Sequence, residues 1–171
     1  MSWRAREAVA TKIEAKSESS PELTLALRLV RGETTLREVL GVTHEQMDTR
    51  YRAVCSHFEM GNYDEAKRGL TFLTAHEPRE ATYWIALGGV EQARGEDGAA
   101  ARAFAIGALL DCDNPAPHLY VAESFAALGN LPAARHAIAA CLELSGANDT
   151  HTQMVARAVE LCTRLGFGGA R

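Results

Sequence analysis

The feature that most constrains this chain is a period: Gly61, Gly95 and Gly129 lie 34 residues apart, and so do Ala66, Ala100 and Ala134. A fixed repeat of this length marks stacked supersecondary units, none of which can bury its apolar face without its neighbours. In each copy the Gly falls in a tight turn between two helical segments, as Met60-Gly61-Asn62-Tyr63, Arg94-Gly95-Glu96-Asp97 and Leu128-Gly129-Asn130-Leu131. A turn of that kind demands a positive φ, which Gly adopts without steric cost. The Ala five residues later falls where the second helix of a pair crosses the first, and only a small side chain lets the two backbones approach there.

A period of 34 residues is that of the tetratricopeptide repeat. The second copy, residues 81–114, carries Trp84, Leu87, Gly88 and Phe104 at the offsets that repeat prefers. The first, 47–80, keeps Tyr63, Ala66 and a closing Pro78, and the third, 115–148, keeps Phe125, Ala134 and Ile138 behind Pro115. The fold expected is therefore all-α, three tandem tetratricopeptide repeats in a helix-turn-helix solenoid, with Trp84, Leu87, Phe104 and Tyr63 in its core. Terminal repeats need capping, so both flanks should be helical. Downstream, over residues 149–171, Asn148 or Asp149 can cap a helix whose Met154, Val155, Ala158, Val159, Cys162 and Leu165 form one stripe; Gly166 ends it, and the Gly168-Gly169 tail should fray. Upstream, over residues 21–46, Pro21 opens a short helix through Val30, Gly32 breaks it, Thr34 or Thr35 starts a second segment closed by Gly41, and Thr43 with Gln46 resembles a capping box. Residues 1–20, charged and Ser-containing, are expected to be a mobile tail.

Composition narrows the function. A net charge of −4 with Arg scattered among Glu and Asp provides no basic surface for phosphate, so nucleic acid is not an expected partner. The longest apolar stretch near the start, Leu23 to Val30, is interrupted by Arg28 and too short to span a bilayer, so neither membrane insertion nor a signal peptide is expected. The four cysteines, Cys55, Cys112, Cys141 and Cys162, never approach a C-x-x-C spacing, and no histidine pair has metal-ligand spacing, so reduced thiols and no metal are expected. No G-x-S-x-G elbow or phosphate-cradling loop occurs, and catalysis and cofactors are not expected.

In stacked helix pairs the first helix of each pair lines the inner surface. Residues three and four apart share a face, which places Asp48, Tyr51, Cys55 and Phe58 together on the first inner helix. Thr82, Ile85, Gly89 and Gln92 follow on the second, and Ala116, Leu119, Glu123 and Ala126 on the third. The mixture of apolar pockets and a few hydrogen-bonding groups suits an extended peptide.

Several segments also resemble the class II chaperones of type III secretion systems, the family typified by the low-calcium-response H protein, over residues 33–165. They are Glu33-Thr34-Thr35-Leu36 through Val42-Thr43-His44-Glu45-Gln46-Met47, Tyr51-Arg52-Ala53-Val54 through Gly61-Asn62-Tyr63-Asp64-Glu65-Ala66, Trp84-Ile85-Ala86-Leu87-Gly88, Ala105-Ile106-Gly107-Ala108, Asn114-Pro115-Ala116-Pro117, and Ala122-Glu123-Ser124 with Leu128-Gly129-Asn130. The resemblance implies a bacterial cytoplasmic chaperone that binds secreted hydrophobic translocator proteins before export and uses no ATP. It implies groove roles for Tyr51, Cys55 and Phe58, with Cys55 smaller than the aromatic usual there. It further implies a homodimer through Leu23, Leu27, Val30 and Leu36, and a transcriptional activator as a second partner. A general repeat adaptor, or a chaperone of a needle-type subunit, would use the same groove, and the client's identity separates these readings.

Overall fold

The structure, a computed structural model, describes residues 20–146 and 151–167. The expected tail before Ser20, the N-cap at Asn148 or Asp149 and the Gly168-Gly169 end lie outside the described residues. The described residues form nine α-helices and no strand: α1 Pro21–Arg31, α2 Leu36–Val39, α3 His44–Glu59, α4 Tyr63–His76, α5 Ala81–Ala93, α6 Asp97–Leu110, α7 Pro115–Ala127, α8 Leu131–Ser145 and α9 Thr152–Arg164. They fall into two compact units, one up to Thr43 and one from His44 onward.

In the first unit, the Ser20 hydroxyl accepts the Leu23 N–H at 3.4 Å and Pro21 occupies the first turn of α1, where its missing N–H costs nothing. Thr35 caps α2 in a reciprocal box with Glu38, whose carboxylate accepts the Thr35 N–H at 3.2 Å. Leu23, Leu27 and Leu36, expected at a dimer contact, are half-buried, and Val30 is 86% exposed.

In the second unit each helix packs on the next in sequence from α3 to α8, and α9 packs on both α8 and α7. Three helix pairs result, α3–α4, α5–α6 and α7–α8, joined by one turn used three times. Gly61, Gly95 and Gly129 have φ of 76°, 76° and 72°. The following N–H of Asn62, Glu96 and Asn130 donates back to the His57, Glu91 and Phe125 carbonyls at 2.8, 2.9 and 2.9 Å, which satisfies the helix end in a Schellman motif. Ala66, Ala100 and Ala134 are all 0% exposed, as a close crossing requires.

Each pair solves its crossing with a different division of volume. In the second, a Cβ on Gly88 would stand 2.5 Å from the Phe104 ring, so the aromatic fills the space the glycine vacates. The first has Val54 in the place of Gly88, and the opposing helix gives way instead: a Cβ on Gly69 would stand 2.4 Å from Val54 Cγ2. The third uses Ala122 against Ile138, both fully buried. Total volume is what a close-packed interior conserves.

The continuous core runs through Phe104, Leu119, Ala122, Ile138, Cys141, Ala158 and Leu161. Of the stripe expected on α9, Ala158 and Leu161 are buried and Met154, Val155, Cys162 and Leu165 half-buried, while Val159 stays 51% exposed because it points away from α7 and α8. Trp84, Leu87 and Tyr63, expected in the core, are half-buried; Trp84 reaches outward, its Nε1–H donating to the Pro78 carbonyl at 2.9 Å. A buried carboxylate links the first two pairs. Glu91 replaces the residue type found at its repeat equivalents His57 and Phe125, and Lys67 Nζ and Arg94 Nη1 each meet it at 2.8 Å. Arg94 also reaches Asp64 at 3.0 Å, so α4 and α5 share a four-membered charge network.

Candidate functional site

The expected groove residues come in sets 34 residues apart, one from each inner helix, so each set makes a row across α3, α5, α7 and, one period further, α9. The row Cys55, Gly89, Glu123, Arg157 decides the shape of the surface. Its first two members are small. Between α3 and α5 they leave a cavity of about 330 Å³ walled by Tyr51, Cys55, Phe58, Ala86 and Gly89, with Leu70 and Val90 beneath and Glu59 at the rim. A Cβ built on Gly89 meets nothing within 4 Å, so the space is open at that residue. The last two members fill the corresponding gap: Arg157 Nη2 donates to Glu123 Oε1 at 2.6 Å, and the guanidinium lies 5.8 Å from the centre of the Tyr120 ring.

Four of the sequence-predicted residues are thus brought together at one cavity: Tyr51, Cys55, Phe58 and Gly89. Phe58 remains 40% exposed, its ring 5.5 Å from that of Tyr63, which steadies it from α4. The Tyr51 and Tyr83 rings lie 5.5 Å apart and continue the wall towards the start of α5. Burial, more than the nearby Cys55 thiol or the Glu80 carboxylate, raises the Tyr51 hydroxyl above the usual tyrosine range. Burial first, then the charges of Glu80, Asp48 and Glu77, do the same for Tyr83. Both phenols therefore stay protonated and keep an O–H to donate.

The remaining expected residues stand elsewhere. Asp48 and Thr82 are exposed, one turn or more beyond the cavity, and Gln92 is half-buried outside it. Ile85 leans onto α6, with its Cγ1 2.7 Å from where a Gly107 Cβ would be, and so serves the packing of its own pair. Leu119 corrects the expectation of an open groove wall: at 1% exposed it belongs to the core, because α7 is covered on that side by α9 as well as α8. Glu123 is engaged by Arg157. Sequence reasoning missed Val54, Glu59, Leu70, Ala86 and Val90. Leu70 aligns with the core positions Phe104 and Ile138 and becomes a floor because the side chains above it are so small.

Among the described residues no group of three His, Cys, Asp or Glu side chains is placed to hold a metal ion, and no helix is long and apolar enough to cross a membrane. The site has an apolar hollow, with the Tyr51 and Tyr83 hydroxyls and the Glu59 carboxylate at its edge.

Comparison with solved structures places this architecture. A type III secretion complex from Aeromonas hydrophila contains a chain that superposes with a TM-score of 0.79 at 22% identity, covering 84% of this chain and 96% of that one. PcrH of Pseudomonas aeruginosa, in complex with the chaperone-binding region of PopB, gives 0.67 at 25% identity over 71% of this chain and 98% of that one. The Yersinia enterocolitica translocator chaperone SycD, in complex with a peptide of the translocator YopD, gives 0.70 at 18% identity over 75% and 98%. The fold is that of the type III secretion translocator chaperones. No protein-family model matches the sequence, and neither does any curated protein. At such identities the likeness is one of fold: the helix pairs need only a few small residues at fixed spacing to keep their frame.

Proposed function

We propose that this chain is a bacterial cytoplasmic chaperone of a type III secretion system, which binds hydrophobic translocator proteins through an extended segment laid in the groove of its inner helices. It has no catalytic or cofactor role in this reading. The observation that carries it is the open apolar cavity between α3 and α5, at the inner surface of a fold whose solved relatives hold a translocator peptide or a chaperone-binding region. A client destined for a membrane carries apolar segments that would aggregate in water, and a preformed hollow masks one without ordering the whole client. Tyr51, Cys55, Phe58 and Gly89 are the contacts assigned to it, and Asp48, Thr82, Gln92 and Glu123 are assigned to the polar surface further along the inner helices. The first unit, through Leu23, Leu27, Val30 and Leu36, is assigned to self-association.

Affinity capture from the native cytoplasm, followed by mass spectrometry of stoichiometric partners, tests the reading. A secreted protein with membrane-inserting segments is the expected partner. Recovery of cytoplasmic assembly components alone would point to an adaptor instead.

A further inference from the structure

The cavity is not the whole of the open surface, because one of its edges carries carboxylates that no ion pair among the described residues compensates. Asp48 lies one turn before Tyr51 on the same face of α3, and Glu80 caps α5 by accepting the Thr82 N–H at 3.2 Å, one residue before Tyr83. The tilted pair Tyr51–Tyr83 therefore has the Asp48 and Glu80 carboxylates close by in sequence, one on each helix. Both phenols feel Glu80, and Tyr83 also feels Asp48 and Glu77. None of the ion pairs formed among the described residues uses Asp48, Glu80 or the rim residue Glu59. Among the described residues no Lys or Arg lines the cavity. Elsewhere in the same unit carboxylates of this kind are matched, Glu91 by Lys67 and Arg94, and Glu123 by Arg157.

We propose that the segment held here carries a lysine or arginine within two or three residues of the bulky apolar side chain that fills the α3–α5 cavity, and that Asp48, Glu80 and the Tyr51–Tyr83 pair receive it. This rests on the proposed client-binding function and adds the charge of the client to it. A cation set against an aromatic face and two carboxylates gains from both. The reach is suitable: residues of an extended chain advance about 3.3 Å each, so two or three of them move a side chain roughly 7–10 Å along the groove. That step leads from the cavity, past Tyr51, to the tyrosine edge.

Selection of random dodecapeptides on the full chain tests this, run in parallel on wild type, on the Asp48→Asn/Glu80→Gln double variant and on Gly89→Leu. Gln at position 80 keeps an oxygen to accept the Thr82 N–H, so the double variant should fold, which circular dichroism verifies. The wild-type pool should pair a large apolar residue with a nearby Lys or Arg. The double variant should keep the apolar preference, lose the basic one, and bind the best wild-type peptide about three- to tenfold more weakly with a shallower salt dependence. An apolar preference with no basic bias, or a bias unchanged in the double variant, overturns the proposal while leaving the groove reading in place. Peptides that bind Gly89→Leu as well as wild type would remove the groove reading itself, and the proposal with it.

Discussion

The gap between α3 and α5 and the gap between α7 and α9 occupy equivalent places in the repeat, yet one is hollow and the other is closed. At the first, Cys55 and Gly89 face each other and leave about 330 Å³ open to solvent. At the last, the residues one and two periods later, Glu123 and Arg157, form an ion pair over Tyr120. The three helix pairs share one turn, at Gly61, Gly95 and Gly129, while α9 packs on α7 and α8 beyond the last of them. Repetition builds the frame, and departure from repetition builds the site. The chain spends its small residues in two ways. Ala66, Ala100 and Ala134, with Gly69, Gly88 and Gly107, are small because another residue occupies the space, whereas Gly89 is small and nothing occupies it.

Filling the hollow gap should have the largest effect. Gly89→Leu places its side chain in the cavity and should weaken client binding by about 2–4 kcal/mol, the scale of a lost interface anchor. Removing a mid-helix Gly should at the same time stabilise the protein by up to about 1 kcal/mol. Titration calorimetry and thermal unfolding read the two effects separately. One residue earlier the sign reverses. Gly88→Ala drives a methyl into the Phe104 ring, 2.5–2.7 Å away, and should cost about 1–3 kcal/mol of stability by urea unfolding. If both substitutions destabilise alike, the distinction between an occupied and an empty glycine fails.

The frame shared by the three helix pairs was legible in the sequence because it depends on residues whose role is dictated by backbone geometry: a positive φ at three glycines and a close crossing at three alanines. Leu119 was not legible in the same way. It has the spacing of a groove residue, and only the packing of α9 across α7 makes it core. Leu70 shows the converse: it is buried as its repeat position requires, and it also floors the cavity because Cys55 and Gly89 above it are small. Periodicity gives the direction in which a side chain points; whether anything lies there depends on neighbours from other elements.

Two smaller effects sharpen the contrast in electrostatics. Glu91 is 5% exposed and joins α4 to α5 through Lys67 and Arg94. Glu91→Gln should cost about 1–2 kcal/mol in denaturant unfolding, because two cations lose their shared partner, though Lys67 is partly relieved by solvent. The Glu123–Arg157 pair is more open, with 53% of the Arg157 side chain exposed. A double-mutant cycle with Glu123→Gln and Arg157→Gln should return a coupling of only about 0.2–1 kcal/mol, diminishing with salt. Client affinity should change less in that cycle than in Gly89→Leu, since the closed gap contributes no pocket.

The most direct test uses two thiols the chain already carries. Cys55 lies in the open gap and Cys112 in the loop after α6, and both are exposed. Alkylation of each, followed by mass spectrometry with and without a saturating amount of the captured client, compares the groove with a surface outside it in a single sample. Slowing of Cys55 by about tenfold or more, with Cys112 unchanged, is the predicted result. Equal rates at Cys55 with and without client would contradict the placement of the client in the α3–α5 gap.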